Sequence, residues 1–136
     1  MLVEDNPDDS VLLQRAFRRA GISNPIDLAV DGEQAIEYLT GTTARGLSAL
    51  ALVLLDLKLP RKSGFEVLAW AKAEPIVRRL PIIVLTSSKQ SVDLARAYEL
   101  GANSYLVKPA SSVHLSALVE QINAYWLSLN EGPPLA

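Results

Sequence analysis

Five short apolar runs punctuate the chain, over residues 1–3, 26–30, 52–55, 81–85 and 104–107. The third and fourth show no alternation of apolar and polar positions, which is how strands buried on both faces of a parallel sheet read. The first holds only Met1, Leu2 and Val3, so its strand is short. Each run is followed by a stretch with helical signals. Asn6-Pro7-Asp8-Asp9 supplies an N-cap, a proline at the first helical position and two acids at the positive end of the helix dipole. Leu13, Ala16, Phe17 and Ala20 form that helix's inner face, and Gly21 stops it. Asp31, with Gln34 three residues on, caps a second helix that turns Ile36 and Leu39 inward and ends at Gly41. Residues 42–50 form a loop. Ser63 and Glu66 make a capping-box pattern for a third helix through Val67, Leu68 and Ala71, stopped or kinked by Pro75. A weaker fourth helix covers 91–100 and closes at Gly101. Ser112 opens the fifth, with Leu115, Leu118, Val119, Ile122 and Leu129 at helical spacing and Tyr125 and Trp126 extending that face.

Five alternations of strand and helix predict βαβ units with right-handed crossovers and helices on both faces of a parallel sheet. The fold class is α/β: a flavodoxin-like (βα)5 doubly wound sheet with strand order 2-1-3-4-5. A chain of 136 residues suits one domain over 1–136, with residues 130–136 as a C-terminal tail and no second domain or output domain.

The stretch Leu52-Val53-Leu54-Leu55-Asp56-Leu57-Lys58-Leu59-Pro60 organises the rest. A buried strand stops there at one carboxylate, and Pro60 forbids further ladder pairing. In open α/β sheets ligands bind at that carboxyl end. The other strands end likewise in polar groups: Glu4 and Asp5 after the first, Thr86 on the fourth, Lys108 after the fifth. Asp8 and Asp9 are accounted for by the helix start. In the expected order the first and third strands are neighbours ~4.8 Å apart. Carboxylates from Glu4, Asp5 and Asp56 held that close repel one another, and a hard divalent cation removes the conflict. An all-oxygen donor set favours Mg2+. A carboxylate beside such a cation is a competent nucleophile toward a phosphoryl group. Lys108 is the obvious cation for the transferring oxygens and Thr86 the obvious hydroxyl donor. Singly, each residue has a plainer role: Asp56 or Lys108 as a solvated strand end, Thr86 as an ordinary strand residue, Tyr105 as core.

Composition narrows the chemistry. Hydrophobic residues make up 49% and charged residues 21%, a globular balance. With no cysteine and a single histidine, His114, disulfide, thiolate and zinc-cluster chemistry are excluded. A formal net charge of -2 gives no basic field for nucleic acid. No apolar run reaches membrane-span length, and the expected location is the cytoplasm.

In order and spacing, Leu-Val-Glu-Asp-Asn, Leu-Leu-Asp-Leu-x-Leu-Pro, Leu-Thr-Ser and the Lys-Pro after the last strand resemble the receiver domain of two-component response regulators, from Leu2 to about Leu129. The resemblance implies that Asp56 accepts phosphate from a sensor histidine kinase. It implies Mg2+ held by Glu4, Asp5 and Asp56, with the backbone carbonyl of Lys58 as a further ligand. Lys108 would pair with the phosphoryl group, Thr86 and Tyr105 would be the coupled switch residues, and the Lys108–Pro109 bond would be cis. Such a protein is no enzyme beyond its own phosphorylation and dephosphorylation. The Lys-Ser-Gly-Phe-Glu-Val-Leu and Tyr-Trp-Leu segments look most like the single-domain regulators that partner bacterial phytochromes. That implies a red-light-sensing kinase and a homodimer through the fourth helix, fifth strand and fifth helix. Output then runs through a partner protein.

Lys58 departs from the usual pattern. Its side chain could lean into the acidic pocket, weaken Mg2+ and leave a receiver-like binding module that is never phosphorylated, which is the main alternative. Two others are disfavoured. A flavodoxin-type cofactor site wants a neutral first loop, and here that loop is acidic. An aspartyl-phosphate hydrolase wants a second acid where Lys58 stands.

Overall fold

Five parallel strands form one sheet: β1 (Leu2–Val3), β2 (Leu28–Ala29), β3 (Val53–Leu55), β4 (Ile82–Thr86) and β5 (Ser104–Val107). Their order is β2-β1-β3-β4-β5, as the alternation predicts. This computed structural model describes residues 1–134 except 44, 45, 47 and 48, so the middle of the expected 42–50 loop and the end of the 130–136 tail lie outside the described residues.

Although β1, β3 and β4 are buried throughout, their side chains still alternate. Val3, Val53, Leu55, Ile82 and Val84 pack on one side with Ala35 and Leu39 of α2 (Gly32–Thr43), Val67, Leu68 and Ala71 of α3 (Gly64–Ala73), and Ala97 of α4 (Ser91–Glu99). Leu2, Leu54, Ile83 and Leu85 pack on the other with Leu13, Ala16 and Phe17 of α1 (Pro7–Arg19) and Val119 and Ile122 of α5 (Ser112–Ala124). The period of two along each strand thus feeds two separate cores, and each helix covers the layer its apolar stripe dictates.

The helix starts follow the sequence signals. The Asn6 side chain accepts from the backbone N–H groups of Asp8 and Asp9, with Pro7 at the first helical position. Gly21, at φ 76°, closes α1 with hydrogen bonds from Gly21 N to Arg18 O and from Ile22 N to Phe17 O. Ser63 and Glu66 form a complete capping box on α3.

Several expectations are corrected. α2 runs past Gly41 to Thr43, and the Thr40 and Thr42 hydroxyls donate to Ile36 O and Tyr38 O one turn back. α5 does open at Ser112, and the residue before it, Ser111, is its cap. Pairing of β2 covers two residues of the 26–30 run. After α5 the chain widens into a π-helical turn, Tyr125–Leu129, which shifts the helical phase. Trp126 and Leu127 consequently pack on the core while Leu129 is 74% exposed. The Lys108–Pro109 bond is trans, the isomer that X–Pro bonds favour, and not cis. No described helix is long and apolar enough to cross a membrane.

Candidate functional site

The β1–β3 and β3–β4 registers bring the carboxyl ends of three strands level, with Val3 beside Leu55 and Leu55 beside Val84. The next residues, Glu4 and Asp56, therefore project at one rim. The Asp56 N–H donates to Val3 O (3.1 Å). Glu4, Asp5 and Asp56 each present a carboxylate oxygen within 4.8 Å of the others; Glu4 and Asp56 are buried and Asp5 is exposed.

Lys108 reaches this rim from the end of β5, where its N–H donates to Thr86 O (2.8 Å). Its ammonium donates to three carboxylates at once: Asp56 Oδ2 at 2.9 Å, Asp9 Oδ2 at 3.1 Å, and Glu4 Oε1 in a tight contact. Burial opposes the charge on Lys108, but the hydrogen bonds to Glu4 and Asp56 outweigh it and raise its pKa. Burial pushes Glu4 up to about 7; the Asp56 charge adds to this and Lys108 opposes it. One ammonium does not neutralise these acids. The excess carboxylate, all oxygen and partly buried, is the condition that a divalent cation relieves, so the residues fit such an ion.

Thr86, fully buried at the end of β4, leaves its Oγ1 without a hydrogen-bond partner. The Tyr105 hydroxyl donates to Ser88 O (3.0 Å), and burial raises its pKa. Ser88 in turn donates to Asp93 Oδ2 (2.5 Å), tying the loop after β4 to the first turn of α4.

Of the expected site residues, Glu4, Asp5, Asp56 and Lys108 meet at this rim, Thr86 ends the neighbouring β4, and Tyr105 lies on β5 with its hydroxyl on Ser88. The Lys58 N–H faces Asp56 Oδ1 at 3.4 Å, yet its side chain is exposed and pairs with no described acid, so it does not fill the pocket. Sequence reasoning missed Asp9, explained there by its helix position alone, and the Ser88–Asp93 pair. It also missed Arg61, which sits at φ 67° and pairs with Asp31 (3.4 Å) and Glu33 (3.5 Å) at the start of α2. The available signal for Asp9 was topological: first-turn residues of a helix that leaves the rim remain beside it.

A five-stranded parallel sheet with an acidic cluster, a lysine and a buried threonine at one rim defines the receiver class of signalling module. The chain belongs to that family: residues 1–120 match the response regulator receiver domain. It is 44% identical over 133 residues to the probable methanogenesis regulatory protein FilR2 of Methanothrix harundinacea, covering 98% of this chain and 86% of that one. It is 38% identical over 128 residues to response regulator Rcp1 of Synechocystis, covering 93% and 87%. A Mn(2+)-bound form of Rcp1 superimposes with a TM-score of 0.80, at 37% identity over 98% of this chain and 96% of that one. The phosphorylated cyanobacterial phytochrome response regulator RcpA superimposes with a TM-score of 0.88, at 36% identity with the same coverage.

Proposed function

We propose that this protein takes a phosphoryl group from a sensor histidine kinase onto Asp56, with Mg2+ held by Glu4, Asp5, Asp56 and the backbone carbonyl of Lys58. The observation that carries the proposal is the convergence on Asp56. A lysine ammonium lies on one of its oxygens, two further carboxylates stand within 4.8 Å, and a buried threonine hydroxyl at the adjacent strand end has no partner.

An Asp56 oxygen attacks phosphorus, the P–N bond to the donor imidazole breaks, and its electron pair leaves on that nitrogen. Mg2+, when bound, neutralises charge on the transferring oxygens. Lys108 pairs with a phosphoryl oxygen and Thr86 Oγ1 donates to another. Drawing Thr86 toward the phosphoryl group alters the space beside Tyr105, whose hydroxyl holds the Ser88 carbonyl, and the change passes into α4 through Ser88 and Asp93. The receiver signals from the cytoplasm through a partner protein.

The similarity to phytochrome response regulators supports a red-light-sensing kinase as donor. Exposed Val92 and Tyr98 on α4 and Val113 on α5 support a homodimer through α4, β5 and α5; sedimentation should show a dimer that Val113→Glu dissociates. The kinase reading is tested by radiolabelled phosphotransfer. Label should pass from an autophosphorylated bacterial phytochrome kinase to this protein and not to Asp56→Asn. Transfer to the variant would place the acceptor elsewhere, and transfer to neither would exclude that kinase class.

A further inference from the structure

We propose that Asp9 is a positioning residue for Lys108: it seats the ammonium outside the cation pocket and thereby eases cation binding. The inference rests on the cation-site reading above. Lys108 Nζ is strung between two kinds of partner. On one side are Glu4 and Asp56, whose side chains are 4% and 9% exposed; on the other is Asp9, at 3.1 Å and 42% exposed. Glu4 and Asp56 belong to the group whose oxygens converge, whereas Asp9 stands outside it.

A divalent cation among Glu4, Asp5 and Asp56 takes up the carboxylate charge that Lys108 shares, and it repels the ammonium directly. Lys108 must then loosen its hold on Glu4. A largely buried ammonium left without an anion is costly, so its release requires a second counter-ion nearby. Asp9 is already in contact. Its backbone is fixed in the first turn of α1, where its N–H donates to the Asn6 side chain (3.2 Å), so the seat stays in place as the pocket fills. A group alters ligand affinity only through the difference in what it does in the two states. Asp9 shares Lys108 with two carboxylates in one state and holds it nearly alone in the other.

Asp8 provides the control. It carries the same charge in the same helical turn, also donates its N–H to Asn6 (2.9 Å), and makes no ion pair with a described cation. Mn2+ affinity would be measured by electron paramagnetic resonance for Asp8→Asn and Asp9→Asn, each with Lys108 present and with Lys108→Met. With Lys108 present, Asp9→Asn should bind Mn2+ about three- to fivefold more weakly than Asp8→Asn, the size expected of a partly exposed ion pair. The gap should close in the Lys108→Met background. Equal affinities in the first background, or a gap that persists in the second, would overturn the inference. Circular dichroism would confirm folding, and Asp9→Ser carries the same comparison if Asp9→Asn misfolds. An unsubstituted protein that binds no Mn2+ would remove the cation site itself, a result distinct from equal affinities.

Discussion

Thr86 holds the one buried side-chain polar atom among the described residues that lacks a hydrogen-bond partner. An unsatisfied buried hydroxyl costs about 1–3 kcal/mol. Thr86→Val keeps the branched shape and removes the hydroxyl. The unphosphorylated variant should therefore be more stable by about 1 kcal/mol in urea unfolding, while accepting phosphate from acetyl phosphate more slowly. A destabilised variant would mean that the hydroxyl is already satisfied. The same residue shows what a sequence can disclose. Glu4, Asp5, Asp56, Thr86 and Lys108 were legible because each stands where an apolar run gives out, and parallel topology sends all those ends to one rim. Asp9 was not, because an acid in a first helical turn is already explained by the dipole. Which way Lys58 points was equally hidden, since a side chain just past a strand end can lean in or out.

At the scale of elements, local chemistry was the most readable layer. Asn6-Pro7 and Ser63…Glu66 start their helices as their residue types require, and Gly21 ends α1. Errors arose where a weak stop was overrun or where helical phase changed. Gly41 did not end α2, which runs on to Thr43. Leu129 left the core because the π-helical turn after Ala124 breaks the 3.6-residue period that placed it there. Gly64 shows how closely an element start is tied to the site: a Cβ there would lie 2.1 Å from the Asp56 carbonyl oxygen. Gly64→Ala should lower stability by about 1–3 kcal/mol in urea and impair phosphate acceptance by displacing Asp56. Gly132→Ala, with nothing within 4 Å, should leave both unchanged. Unaltered stability in Gly64→Ala would mean that α3 can shift freely from Asp56.

Across the whole molecule, the strand order does the functional placing. Because β1 lies between β2 and β3, Glu4 and Asp56, 52 positions apart in sequence, stand side by side, and β5 brings Lys108 across to meet them. The fold was legible because five strand–helix alternations leave few right-handed parallel topologies. The α4 linkage through Ser88 and Asp93 was not, since it depends on side-chain directions. The central claim is that this rim exists to phosphorylate Asp56. Intact mass after incubation with acetyl phosphate tests it most directly, with and without Mg2+ and beside Asp56→Asn. A gain of one phosphoryl group, about 80 Da, that needs both Mg2+ and Asp56 is the predicted result. No gain in folded protein with excess Mg2+, or an equal gain in Asp56→Asn, would contradict it.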